Sequence, residues 1–225
     1  MKLVLGISGA SGAPYAQRLL THLANLPPSA APSVSIVLSR TAEQVWELEC
    51  GGSPRALGFP VYSGRDYTAP FASGSAAFDA MLVLPASMSC IARIAHGISD
   101  DLLTRAADVM LKERKRLILV PREAPLSEIH LSNMLTVTRA GAIVLPASPA
   151  FYTRPSTLEH ALDTVLARVL DHLHSIRAVI DEALRQIVSV GGNIELCAIL
   201  DNFCWGNCNK PDRLGGLVRA SYACY

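Results

Sequence analysis

Short runs that are apolar at almost every position alternate along the chain with longer stretches in which apolar residues recur every three or four positions. The runs KLVLGI (2–7), SVSIVLS (33–39), MLVLPAS (81–87), RLILVP (116–121) and AIVLP (142–146) predict strands. They are apolar nearly throughout, which is the mark of strands covered on both faces. Helices are predicted from the turn after Gly12, with Pro14 in the first turn, over 41–49, 88–97 and 100–114, near 127–139, and from about 156. Strand and helix in alternation predict an α/β fold, a doubly wound parallel sheet. In such a sheet ligands bind beyond the carboxyl ends of the strands, which singles out Gly9 to Gly12, Ser39, Pro85 to Cys90, Arg122 with Glu123, and Pro146 to Tyr152. The segment 51–75 is rich in Gly, Pro and Ser and predicts a loop or lid.

Composition narrows the partners. The chain has 225 residues, enough for one domain, and 50% of them are hydrophobic against 17% charged, which excludes a disordered chain. Twenty Lys and Arg against 19 Asp and Glu leave a formal charge of +1, so no excess of charge attracts nucleic acid or an anionic membrane. The apolar runs fall well short of the roughly 20 residues of a membrane span. The opening stretch MKLVLGISGASG breaks at Gly6 without a signal-peptide core, and a cytoplasmic protein is expected. Cysteines stand at 50, 90, 197, 204, 208 and 224 and are expected to be free thiols.

The first turn, G-I-S-G-A-S-G, fits neither the dinucleotide fingerprint nor the P-loop, and no hydrolase elbow surrounds Ser8 or Ser11. Two readings stay open for it. Its backbone N–H groups meet a phosphate at a helix N-terminus, or it is an ordinary tight turn with Ser11 as N-cap. Asp101, Arg105, Asp108 and Lys112 recur at helical spacing and suggest a ladder of surface ion pairs, or alternatively a cationic face toward an anionic site. Arg122 and Glu123 directly follow a strand, which favours a functional role. Glu49 by itself reads as a surface acid. His172 and His174 point apart on a helix, CWGNC (204–208) lacks zinc-ligand spacing, and Asp100-Asp101 is not followed by a magnesium-binding pattern, so no metal site is expected.

The stretches GISGASGAPYAQRLL (6–20), LTRAADVMLKERKRLILVPREAPLSEIHLSNM (103–134) and GAIVLPASPAFYTRPSTLEHALDTVLARVLD (141–171) closely resemble the flavin prenyltransferase (UbiX-like) family over residues 1–174. The resemblance implies a Rossmann-like flavoprotein fold and a homo-oligomer with sites between subunits. It also implies metal-independent transfer of a dimethylallyl group from dimethylallyl monophosphate to reduced FMN, giving a prenylated flavin for a partner decarboxylase of the ubiquinone pathway and related routes. Carried over by position, it puts Gly9, Ala10, Ser11 and Ser39 on FMN, with Ser87, Met88, Ser89 and Cys90 beside it and Arg122 near its phosphate. Arg105, Lys112, Glu123, Tyr152 and Arg168 would line the prenyl-phosphate pocket, with Glu49 and Glu123 as the catalytic acids and Glu49 handling a proton. Cys90 stands where many members carry Thr. The chemistry asks for cations that neutralise charge on a leaving phosphate, and for an acceptor of the proton lost on ring closure, either Glu49 or the phosphate itself. The nearest enzyme alternative is an FMN-dependent decarboxylase of cysteinyl peptides, whose PASANT-like text appears here as PASMSC (85–90) without the Asn. A catalytically silent FMN-binding chimera is the third reading.

Residues 177–225, with AILDNFCWGN and LGGLVRASYACY, instead resemble an internal piece of phosphoribosylformylglycinamidine synthase. A domain over 1–174 and a truncated tail of helix and strand over 175–225, too small to be a domain of its own, are expected. Apolar positions from Leu158 through Leu162, Val165, Val169 and Leu173 to Ile187 recur at three and four, as if one helix ran through the junction.

Overall fold

A computed structural model describes residues 1–27 and 31–173, and the chain divides into two compact units, Met1–Val169 and Leu170–Tyr225. The expected purine-synthesis-like tail, 175–225, lies outside the described residues, as do His174 and the four later cysteines. Six parallel strands form one sheet: β1 (Lys2–Ile7), β2 (Ser33–Leu38), β3 (Val61–Ser63), β4 (Ala80–Ala86), β5 (Arg116–Pro121) and β6 (Ile143–Val144), in the order β3-β2-β1-β4-β5-β6. The helices are α1 (Ala13–Ala24), α2 (Ala42–Cys50), α3 (Met88–Ala95), α4 (Leu102–Lys112), α5 (Glu128–Arg139) and α6 (Leu158–Leu173). All of β4 is buried, and in β1, β2 and β5 only the first residue is exposed, as apolar side chains on both faces require. None of the helices described is long and apolar enough to cross a membrane.

The structure departs from the sequence expectations in three places. The segment 51–75 contains β3, which pairs Val61, Tyr62 and Ser63 with Ile36, Val37 and Leu38. It is also packed: Tyr62 meets Phe71 edge-on at 5.2 Å, and Phe71, 1% exposed, meets Phe78 at 5.6 Å. The run 142–146 is a strand only over Ile143 and Val144, although backbone bonds from Leu145 to Leu119 and from Ala147 to Pro121 continue the pairing. The ladder on α4 pairs differently. Asp101 caps the helix, accepting from the Thr104 N–H at 2.8 Å, and takes Arg93; Arg105 pairs with Asp108 and Lys112 with its neighbour Glu113.

β1 and β4 lie side by side, but the chain leaves them in opposite directions, so the crevice beyond their carboxyl ends is the topological switch point. Ser8, 2% exposed, ties the two ends together. Its hydroxyl donates to the Pro85 carbonyl and accepts from the Ser87 N–H, both at 2.7 Å.

Candidate active site

The turn from β1 into α1 is built on close approach. A Cβ on Gly9 would stand 1.9 Å from Thr41 Oγ1 and 2.8 Å from its Cβ, so only glycine lets this turn lie against the one after β2. Gly12, at φ +125°, is the N-cap of α1, and no side chain caps the helix from that position, which rules out Ser11 as the cap. Glu49, from the end of α2, does so instead: its Oε2 accepts from the N–H groups of Gly12 and Ala13, each at 2.8 Å. Two donors that the sequence offered to a phosphate are thus filled by a carboxylate of the chain itself. Burial pushes the Glu49 carboxyl up. Hydrogen bonds from the Ser11 side chain and from Gly12 and Ala13, with the charge of Arg122, outweigh that and hold it below the usual value. Glu49 is therefore a surface acid that is also an ionised fixture of the turn.

A cleft of about 260 Å³ opens at this point. Ser11, Gly12, Glu49 and Arg122 form its polar side, and Pro14, Tyr15, Ala147, Leu158 and Leu162 its apolar side. Tyr15 is 7% exposed; burial raises its phenol and the nearby Arg122 lowers it in part, leaving it a neutral hydroxyl. Next to this cleft in the topology, beyond β2, the Ser39 Oγ is buried and has no hydrogen-bond partner among the described residues. A buried hydroxyl without a partner carries a desolvation cost that a ligand atom would relieve. With the close approach that Gly9 allows, this unpartnered hydroxyl offers a ligand a hydrogen-bonding group beyond the strand ends.

The stretch after β4 opens α3 and is partly committed to the core. The Ser87 hydroxyl caps α3, accepting from Cys90 N at 3.3 Å, and lies 3.2 Å from the Ser89 hydroxyl, which is exposed. Met88 and Cys90 are 8% and 1% exposed and belong to the hydrophobic core cluster. Burial pushes the Cys90 thiol up to about 12, with Arg93 lowering it and Asp101 raising it.

Of the predicted site residues, Ser11, Glu49 and Arg122 line this cleft; Gly9, Ala10, Ser39 and Ser87 to Cys90 do not, and neither do five others. Arg105 donates from Nε to the Ala72 carbonyl at 3.1 Å, and Lys112 pairs with Glu113. Glu123 is exposed and accepts from the Ala124 N–H at 3.1 Å, Tyr152 is 86% exposed in the loop before α6, and Arg168 is exposed on α6. The cleft also uses residues that the sequence reading missed. Tyr15 is a polar-tipped side chain three residues past Gly12, a signal available in the sequence; Leu158 and Leu162 read only as a helix face. Among the described residues no group of three His, Cys, Asp or Glu side chains is arranged to hold a metal ion.

A parallel sheet of this order, with a glycine turn at its switch point and an orphan hydroxyl after the neighbouring strand, is the arrangement of a nucleotide-binding α/β protein. Comparison with known proteins narrows this. A family model described as Flavoprotein matches residues 1–184. The flavin prenyltransferase UbiX of Thermoplasma acidophilum is 46% identical over 174 residues, 76% of this chain and 93% of that protein. A probable UbiX-like flavin prenyltransferase of Bacillus subtilis is 45% identical, over 76% of this chain and 83% of its own length. Among solved structures, a dodecameric FMN-dependent UbiX-like decarboxylase from Escherichia coli O157:H7 is 44% identical with a TM-score of 0.73, covering 77% of this chain and 94% of that one. AnUbiX (PadA1) in complex with FMN and dimethylallyl pyrophosphate is 44% identical with a TM-score of 0.71, covering 76% and 90%. The chain belongs to the Flavoprotein family and, within it, to the UbiX-like flavin prenyltransferases.

Proposed function

We propose that the chain, in the cytoplasm, transfers a dimethylallyl group from dimethylallyl monophosphate to reduced FMN without a metal, and that the prenylated flavin passes to a partner decarboxylase. The observation that carries this reading is the cleft itself, lined both by the apolar Leu158 and Leu162 with Tyr15 and by the charged Glu49 and Arg122. A flavin held at the Gly9 to Gly12 turn by Gly9, Ala10, Ser11 and Ser39, with the apolar five-carbon group and its anionic head beside it, suits that mixed lining.

Reduced FMN supplies N5 as the nucleophile and C6 as the position of ring closure. The chain's part is to hold the donor's C1 against N5 and to offset the charge that gathers on phosphate as the C1–O bond breaks. Arg122 does this from the cleft. Arg105, Lys112 and Arg168 join it in the assembled protein, with Tyr152 and Glu123 closing the pocket. Glu49 is held ionised by its cap, so it favours positive character on the allyl fragment. The departing inorganic phosphate is a stronger base than a carboxylate held below its usual range: it takes the N5 proton as the N5–C1 bond forms, returns a proton to the double bond of the prenyl group, and accepts the proton that C6 loses as the ring closes.

Assembly fits the surface. Ile129, Leu131 and Leu135 on α5 are 71%, 53% and 50% exposed, and Phe151 beside Tyr152 is 73% exposed, an apolar surface that suits burial against further copies of the chain. In a homo-oligomer the five residues remote from the cleft would reach a neighbour's cleft. The test is transfer: flavin released from the protein after reaction with the donor should activate an apo decarboxylase that depends on prenylated flavin. Flavin that leaves the decarboxylase inactive would refute the proposal.

A further inference from the structure

The first half of α6 supplies the apolar wall of the cleft through Leu158 and Leu162, and one cluster fastens that helix to α1. Arg18 Nε and Nη2 donate to the two carboxylate oxygens of Asp163, the second bond at 2.6 Å, and His22 Nε2 lies 3.2 Å from Asp163 Oδ1. The Arg18 and Asp163 side chains are 28% and 35% exposed, so the pair is only partly screened by water. A two-pronged pairing of guanidinium and carboxylate fixes angle as well as distance. One residue further on, Thr164 Oγ1 accepts from the Ala150 N–H at 3.0 Å and donates to the Ala161 carbonyl at 2.7 Å. Asp163 thus joins the wall helix to the helix that starts at the Gly12 turn. Thr164 joins it to the loop that runs from Ala147, in the cleft, to Tyr152.

We propose that Arg18, Asp163 and Thr164 are positioning residues of the flavin site: together they set the gap between the Gly9 to Gly12 turn and the Leu158–Leu162 wall, and so set the affinity for flavin. This rests on reading the cleft as the flavin site. None of the three lines the cleft, so their effect is transmitted through α1, α6 and the loop.

The test is titration of the full-length protein with FMN, read by quenching of flavin fluorescence, at a temperature below every variant's melting transition. Asp163→Asn keeps the shape and removes the charge; Thr164→Val keeps the volume and removes the Ala150 bond. Ile91→Val, in the core away from the cluster, serves as a control for general loss of stability. Asp163→Asn should weaken FMN binding about fivefold or more and Thr164→Val about threefold, with the control within about twofold of wild type. Unchanged affinity in both test variants, or equal loss in the control, overturns the proposal and leaves the cluster a stability feature. A wild-type protein that binds no FMN overturns the reading of the cleft, and the proposal falls with it.

Discussion

Replacing Glu49 by Gln separates charge from shape at the cap of α1. In the native protein one carboxylate oxygen accepts two N–H groups at 2.8 Å, and Arg122 adds a favourable charge. Gln retains an acceptor of the same reach and loses the charge. The lost charge forfeits roughly 0.3–1 kcal/mol of helix-dipole attraction and weakens hydrogen bonds that are about twice as strong when the acceptor is ionised. Glu49 is largely exposed, so the total stays near 1 kcal/mol, while Glu49→Ala, losing the acceptor as well, costs about 1–2 kcal/mol. For a domain of this size 1 kcal/mol corresponds to a melting shift of about 2–4 °C. The sign with pH follows from the lowered carboxyl. Its contribution is fully present above the usual value of 4.5 and is lost as pH falls through the lower value of the folded state. Thermal melts of wild type and Glu49→Gln should therefore differ by about 2–4 °C near neutral pH and converge once the pH is well below the ordinary carboxyl value. A gap of the same size at both pH values, or none at neutral pH, would refute the cap as the source of the effect.

Three further outcomes follow from the same geometry. Ser39→Ala should leave the flavin-free protein as stable as wild type or more so, because the buried Oγ has no partner among the described residues, yet weaken FMN binding by about 0.5–1.5 kcal/mol; loss of stability with unchanged FMN affinity in a titration would contradict this. Gly9→Ala should destabilise by about 1–3 kcal/mol through its clash with Thr41, and adding Thr41→Gly should restore most of the loss in a denaturant titration; no recovery would show the clash is elsewhere. Cys90 should stay unlabelled by a thiol reagent in the native protein at neutral pH, with labelling read by peptide mass analysis, because burial pushes its thiol up to about 12 and its side chain is 1% exposed; rapid labelling would contradict its place in the core.

The parallel sheet was legible because β1, β2, β4 and β5 carry apolar residues on both faces, a pattern that depends only on local sequence. The crevice was legible for the same reason, since Gly9, Ser39 and Arg122 each follow a strand. β3 was not legible: a three-residue edge strand, Val61 to Ser63, has no room to show a pattern, and its support comes from Phe71 and Phe78 elsewhere in the chain. Nor does anything around Glu49 announce that it caps a helix 36 residues earlier in the chain. Cys90 and Ser89 are neighbours in the sequence, yet the helical turn of α3 sends one into the core and the other to the surface. Long-range partners and the direction of a side chain are set by tertiary packing, and the sequence alone does not carry them.

The most direct test of the account is anaerobic incubation of the purified protein with reduced FMN and dimethylallyl monophosphate, with the diphosphate in a parallel reaction, followed by mass analysis of the released flavin. The account predicts a flavin heavier by one isoprenyl unit, formed from the monophosphate. Unmodified flavin with both donors, from protein that binds FMN, would contradict it.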